Sequence, residues 1–395
     1  MEPRPLTAAR VAQIDPFHVM EVQTAARALE AAGRTVVHME IGEPDFPTPA
    51  PVIAAAQRAI ASGDLYYTSA LGLPALREAI AGHYADHYGV AVDPARVVVT
   101  AGSSAALLLV LALLVDRDDE ILLADPGYPC NRHFVRTLEG RPVGVPVGPA
   151  TRYQLTAELV ARHWTPHTRG ALIASPSNPT GTVVSADEMA AIARVVADRA
   201  GHLLVDEIYL GLTYDLRPNE RPHSVLALSD DAFVLSSFSK YFNMTGWRLG
   251  WAVVPERHVR DIEKLAQNLY ISPASPSQRA ALACFLPETL AILEERRQAF
   301  EARRDFLVPA LRELGFGVPV LPTGGFFVYA DTSGFARDSQ AFCRDVLAAT
   351  GVAFTPGIDF GAYRASDHVR FAYTVAMDKL EDGVLRLARH LQSRR

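Results

Sequence analysis

Short, nearly unbroken apolar runs punctuate the middle of the chain: Val97-Val-Val-Thr100, Glu120-Ile-Leu-Leu-Ala124, Gly170-Ala-Leu-Ile-Ala174 and His202-Leu-Leu-Val-Asp206, then Asp231 to Ser236 and Leu249 to Val254. Segments with helical spacing lie between them, such as Ala186 to Ala200. Strands that are apolar throughout are buried on both faces, and strands alternating with helices build a mostly parallel sheet covered on both sides. The predicted fold class is therefore α/β. Ligands of such sheets gather at the carboxyl ends of the strands. Ser103, Tyr128, Asn178, Asp206, Tyr209 and Lys240 all fall at such ends.

Outside this region the pattern differs. Asp15 to Gly33 reads as a helix with Val19, Val22, Ala26 and Leu29 on one face and Gly33 as its stop. Val36 to Ile41 reads as a short strand running into Gly42-Glu-Pro-Asp-Phe-Pro-Thr-Pro49. Those prolines exclude helix and central strand, leaving an extended loop in which Gly42, lacking a Cβ, lets main chain approach a ligand. Helices are expected from Pro51 to Ser62 and, after Tyr66 to Arg77, through Tyr84. At Gly102-Ser103-Ser104 a strand turns into an apolar helix, which exposes N–H groups and hydroxyls to an anion, although serines there also serve as plain N-caps. Tyr128 to Leu138 reads as helix, followed by a looser stretch. Glu288 to Leu314 is a long charged helix suited to connecting domains. Beyond Gly315, strand pieces at Gly325 to Tyr329 and Val369 to Tyr373 with two helices suggest a smaller α+β domain. The expected division is an N-terminal arm and part of the small domain (1–45), a large domain (46–287) and the small domain (288–395).

Composition narrows the function. The 395 residues are 49% hydrophobic and 21% charged, ordinary for a globular protein of two domains. A formal net charge of −6 leaves no basic footprint for nucleic acid. Cys130, Cys284 and Cys343 are scattered, with no metal-ligand spacing, so neither a disulfide framework nor a metal site is expected. The first residues, Met1 to Phe17, show no apolar signal segment, and the longest apolar run, Ala105 to Val115, is too short for a bilayer. No membrane is expected, and the location that follows is cytoplasmic.

The richest window is Ser236-Ser-Phe-Ser-Lys240-Tyr-Phe-Asn-Met-Thr-Gly-Trp-Arg248-Leu-Gly250. A lysine bracketed by serines, with an arginine eight residues on, suits an amine that forms an imine with an aldehyde whose carrier is anchored by a phosphate. The window resembles the pyridoxal-phosphate attachment signature of class I/II aminotransferases. The whole order Tyr67, Gly102-Ser103-Ser104, Tyr128, Asn178-Pro-Thr-Gly181, Asp206-x-x-Tyr209, Lys240, Arg248 and Arg370 is similar to the fold-type I aminotransferases of the aspartate-aminotransferase family, across nearly the whole chain.

That resemblance implies roles. Lys240 would be the Schiff-base lysine and proton carrier. Asp206 would pair with the ring nitrogen of pyridoxal 5'-phosphate, Tyr209 and Asn178 would bond the ring hydroxyl, and Tyr128 would stack on the ring. Ser103 or Ser104, Ser237, Ser239 and Arg248 would hold the phosphate. Arg370 would receive the substrate α-carboxylate with help from Asn178 and the Gly42 backbone. Tyr67 would reach the phosphate of a neighbouring subunit, which implies a homodimer with shared sites. The implied reaction moves an amino group between an L-amino acid and a 2-oxo acid.

Two departures matter. Ser103-Ser104 stands where some members carry Gly-Lys or Gly-Thr, leaving open which hydroxyl meets phosphate. No second arginine for a distal carboxylate is evident; Phe17, His18, Asn131, Arg132 and Tyr270 are the candidates for the substrate's far end. The same lysine and aspartate serve β-lyases, decarboxylases and oxidases, so those reactions remain alternatives. A regulator retaining only the cofactor domain is disfavoured, because the sequence starts at the aminotransferase arm and not at a DNA-binding module.

Overall fold

The computed structural model describes residues 7–218 and 220–392. After the short strand β1 (Val37–His38) come β2 (Val97–Thr100), β3 (Glu120–Asp125), β4 (Arg141–Pro146), β5 (Thr168–Ala174), β6 (His202–Asp206), β7 (Phe233–Ser237) and β8 (Gly250–Val253). These seven later strands form one sheet in the order β2-β8-β7-β6-β5-β3-β4. Pairings from β4 across to β7 are parallel, and β8 runs antiparallel to both its neighbours. Alternate residues of one strand enter different cores: Val97 and Val99 pack with one apolar cluster and Val98 with the other, as do Leu122 against Ile121 and Leu123. Both faces are therefore covered, which is why these strands read as continuous apolar runs.

The looser stretch expected after Leu138 holds a strand and a helix. β4 carries Pro142, Gly144 and Pro146, which hide it from a propensity reading. It pairs with β3 alone, and an edge strand tolerates proline because one row of its N–H groups is unpaired. The helix Ala157–His163 starts where Thr156 accepts from Leu159 N.

The remaining strands are β9 (Phe327–Asp331), β10 (Val352–Ala353), β11 (Thr355–Pro356) and β12 (His368–Ala372). β11, β12 and β9 form an antiparallel sheet, while β1 lies parallel to β10. Beyond β1 the chain stays extended: Met39 N donates to Ala353 O at 2.9 Å and Met39 O accepts from Ala372 N at 2.7 Å. The early segment thus wedges between β10 and β12.

The N-terminal helix spans His18–Ala31, shorter than the pattern suggested. Its start is set by Asp359, whose carboxylate accepts from His18 N at 2.9 Å and Val19 N at 3.3 Å. Ala26, Val22 and Leu29 pack on Leu347 and Ala353, the face expected from spacing. The helix Pro287–Leu314 bonds to both early and middle segments, with Arg303 on the Asp45 carboxylate at 2.8 Å and Arg304 on Asp215 at 2.9 Å. Large parallel sheet, flanking helices and a smaller α+β unit agree with the predicted class.

Candidate active site

A cavity of about 380 Å³ lies where β5 and β6 end, at Ala174 and Asp206. Eleven of the residues singled out in the sequence line it: Phe17, Gly42, Ser103, Ser104, Tyr128, Asn178, Asp206, Tyr209, Lys240, Arg248 and Arg370.

Its floor holds two opposed ionisable groups. The Asp206 carboxylate accepts from Ile208 N at 3.1 Å, and burial pushes its pKa up to about 6. Lys240 Nζ donates to Gly42 O at 2.6 Å, and burial brings its pKa down to about 8. An acid and an amine displaced toward each other in one cleft mark a site built for proton chemistry. The next residue, Glu207, faces away from this cavity. It accepts from Ser224 Oγ at 2.9 Å and Val225 N at 2.8 Å, and burial pushes it to about 8.

One wall is an anion cradle. The helix Ser103–Leu114 begins after Gly102, which has φ +86° and no capping side chain, so its first N–H groups face the cavity mouth uncapped. A Cβ on Gly102 would sit 2.8 Å from Arg248 Nη2, and one on Gly250 would sit 2.7 Å from Ser103 N. Two glycines thus let the guanidinium and the helix start converge. Arg248 donates to Thr245 O at 2.9 Å and is otherwise exposed.

Ser237 and Ser239 do not line the cavity. Both are buried, with their hydroxyl oxygens 2.9 Å apart and Ser239 N donating to Ser237 Oγ at 3.0 Å. They brace the turn that carries Lys240.

A second wall holds Arg370, only 3% exposed. Alternation along β12 places Val369 and Phe371 in the core, and Arg370 faces the cavity from the same strand. Its terminal nitrogens donate to Asn178 Oδ1 at 3.0 Å, Thr355 Oγ1 at 3.2 Å and Glu40 O. The guanidinium lies over the Phe327 and Phe360 rings, 4.4 and 4.8 Å from their centres. Burial brings its pKa down to about 10, so it remains a cation at neutral pH.

The Tyr128 ring meets Phe17 edge-on at 6.4 Å, and Tyr209 packs edge-on against Phe326 and Phe327. Of the candidates for the far end, only Phe17 lines this cavity. Asn131 and Arg132 line a neighbouring cavity of about 330 Å³ that shares Tyr128 and Ala174, where Arg132 donates to Asp359 O at 3.0 Å. His18 turns its ring to Glu21, and Tyr270 lines neither cavity. Tyr67, 81% exposed, stands outside the cavity of its own chain. Sequence reasoning missed Val19, Met20, Ile41 and Phe327 as lining residues, because each reads simply as the apolar face of a helix or strand. Among the described residues, no group of three or more His, Cys, Asp or Glu side chains is arranged to hold a metal ion, and no helix is long and apolar enough to cross a membrane.

Comparison with known proteins places this geometry. Residues 34–387 match the family described as aminotransferase class I and II. The chain is 40% identical to the valine–pyruvate aminotransferase of Mycobacterium tuberculosis, covering 97% of this chain and 98% of that one. It is 33% identical to an aspartate aminotransferase of Geobacillus stearothermophilus, with 98% and 99% covered. The crystal structure of an aminotransferase from Mycobacterium tuberculosis superposes with a TM-score of 0.94 at 40% identity, over 99% of this chain and 100% of the other. Aspartate aminotransferase from Thermus thermophilus with maleate gives 0.90 at 32% identity, over 98% and 100%. With the fold, the lysine window and the cavity in agreement, the chain belongs to the class I and II aminotransferases and is an aminotransferase.

Proposed function

We propose that this aminotransferase uses pyridoxal 5'-phosphate, held through Lys240, to move the amino group of an apolar L-amino acid to a 2-oxo acid. The observation that carries the reading is one cavity holding a half-buried Asp206–Lys240 floor between an anion cradle and a caged arginine. The donor set fits the cofactor. Asp206 has a raised pKa and wants a cation, which a protonated ring nitrogen supplies. Tyr209 and Asn178 would donate to the ring hydroxyl, Tyr128 would cover a ring face, and Ser103, Ser104, Arg248 and the helix start would take the phosphate. Ser237 and Ser239 would act behind them, fixing the turn. When bound, the cofactor supplies an electron sink for the bond broken at the substrate Cα.

The chain's own residues do the rest. Lys240, with its lowered pKa, is an amine that both attacks an aldehyde and carries a proton near neutral pH. Arg370 presents two N–H groups in a fork that matches a carboxylate, and its neutral partners leave its charge unspent. Asn178 and Gly42 stand beside it on the cavity wall.

Charge and shape of the lining support an apolar substrate. The cations that line the cavity are Lys240, Arg248 and Arg370, each with a role above, and Glu43 adds a negative charge. Among the described residues of one chain, a second substrate carboxylate would meet no further cation there, whereas Phe17, Val19, Met20 and Ile41 offer apolar contact. The relative named valine–pyruvate aminotransferase is in keeping with this.

Tyr67 would reach the phosphate of a second copy, making the enzyme a homodimer. In support, Tyr66, Tyr67, Ile60, Leu269 and Ile271 expose 78%, 81%, 60%, 58% and 52% of their surface, apolar side chains that a second copy could cover. The division at residues 45 and 287 follows the change of sheet, and three free cysteines suit a reducing, cytoplasmic setting.

Incubation with a panel of amino acids plus pyruvate or 2-oxoglutarate tests the reading. New amino and oxo acid pairs should appear, with valine or leucine ahead of aspartate. Release of ammonia, carbon dioxide or hydrogen peroxide without amino transfer would assign the site to a lyase, decarboxylase or oxidase. Aspartate outpacing valine would overturn the apolar assignment.

A further inference from the structure

Arg370 lies among acids, yet the groups that accept its hydrogen bonds are neutral. Two carboxylates act on it electrostatically, those of Asp359 and Glu40, together with the Tyr209 and Tyr128 hydroxyls. Asp359 is committed elsewhere, to the His18 and Val19 N–H groups that open the N-terminal helix. Glu40 is fully buried, at 0% exposure. Its Oε1 is 2.7 Å from His38 Nδ1, and its Oε2 has no hydrogen-bond partner among the described residues. The other ring nitrogen of His38 is 3.2 Å from Glu30 Oε1 on the N-terminal helix.

A buried carboxylate stays ionised only where a neighbouring cation stabilises it; otherwise it takes up a proton. Glu40 has two cations within reach of its surroundings. One is His38, two residues away and so on the same side of an extended segment. The other is Arg370, which already donates to the main-chain oxygen of Glu40 itself. We infer that His38 holds the Glu40 carboxylate in an ion pair of its own and thereby keeps Arg370 free for the substrate carboxylate. His38 is then a positioning residue that acts through Glu40. The inference rests on Arg370 as the receiver of the α-carboxylate.

Further groups set the pair's surroundings. Arg386 of the C-terminal helix donates to Thr35 O and Oγ1 at 2.9 Å and pairs with Asp382, while Arg34 donates to Ala348 O. None of these displaces Glu30 or Glu40 from His38. Hydrogen bonding to Glu40 raises the His38 pKa to about 9, against an opposing effect of burial. His38 is thus a cation at neutral pH, and its charge is lost as pH rises through about 9. Affinity for a carboxylate should fall over that rise.

The test uses the cofactor-loaded enzyme at neutral pH and the two halves of a substrate: 3-methylbutanoate, which has the carboxylate alone, and isobutylamine, which has the amine alone and can exchange onto the cofactor. Calorimetry gives both dissociation constants. His38→Leu should weaken 3-methylbutanoate by about 10- to 100-fold, since a charge pair at a buried site is redirected, and leave isobutylamine unchanged. His38→Leu with Glu40→Gln should recover most of that loss, because the competing charge is gone. Should His38→Leu fail to fold, His38→Gln keeps an N–H toward Glu40 without the charge. It should show a smaller loss, again reversed by Glu40→Gln. Unchanged carboxylate binding in the His38 variants, or a loss that Glu40→Gln does not reverse, overturns the inference. Arg370→Lys, if it weakened acid and amine equally, would instead remove the reading of Arg370 on which the inference stands.

Discussion

Arg248 and Arg370 line one cavity and would both bind anions, yet they are built in opposite ways. Arg248 is exposed, lies within one short window with Thr245 and Gly250, and owes its place to two glycines. Arg370 is buried, and its partners Glu40, Asn178 and Thr355 come from three distant segments. The difference suits their proposed ligands. A cofactor that stays bound needs a cradle formed locally and reached from outside. A substrate that must come and go is better read by a rigid, dry cation whose strength depends little on salt.

Lys240 stands between the two, and its loss should have the largest effect. Lys240→Ala should lower turnover by at least about 10⁴-fold, since covalent attachment and proton transfer go together. Rapid-quench assays would measure this, and near-normal turnover would remove Lys240 from the mechanism. In the cofactor-free protein, attachment of pyridoxal phosphate should speed up with pH and level off above about 8, because the neutral amine is the reactive form. A rise continuing past pH 10, where ordinary lysines titrate, would show that burial does not tune this amine.

Arg370→Lys should come next. Charge-assisted hydrogen bonds are worth roughly 1.5–3 kcal/mol each, and lysine cannot keep both. The KM for valine should rise by about tenfold or more, while an amine lacking the carboxylate loses little and the cofactor's absorption is unaltered. Equal losses for amine and amino acid would make Arg370 a support of the fold.

Arg248→Lys should be mildest, because an exposed cation is already screened by water. Cofactor retention on dilution should fall by about 2- to 10-fold, with KM for valine unchanged once cofactor saturates. If this change instead raised KM selectively, the contrast between the two arginines would collapse.

The two arginines also differ in how visible they were. Arg248 sits in a contiguous signature, so the role proposed for it could be suggested before any folding was known. Arg370 sits in an ordinary alternating strand and was reachable only through resemblance, since its cage is assembled by tertiary packing. His38 and Glu40 looked like part of a plain strand for the same reason. The buried apolar strands were plain from their runs, whereas β4 was hidden by prolines that an edge position tolerates. Phe17 was singled out, but Val19 and Met20 were not, since Asp359 sets where the N-terminal helix begins and hence what it turns toward the cavity.

Glu207 bears on how the enzyme could be remodelled. The residue after Asp206 clamps Ser224 and Val225, so the crossing that leaves at Asp215 returns to a fixed point. Asp215 is itself held by Arg304. With both ends tied, a peptide spliced into the exposed crossing at Leu216 or Arg217 adds little closure entropy and has no lever on the strand that carries Asp206. This crossing is a natural graft point for tags or reporter loops, and Ser224 is the residue any such redesign must keep.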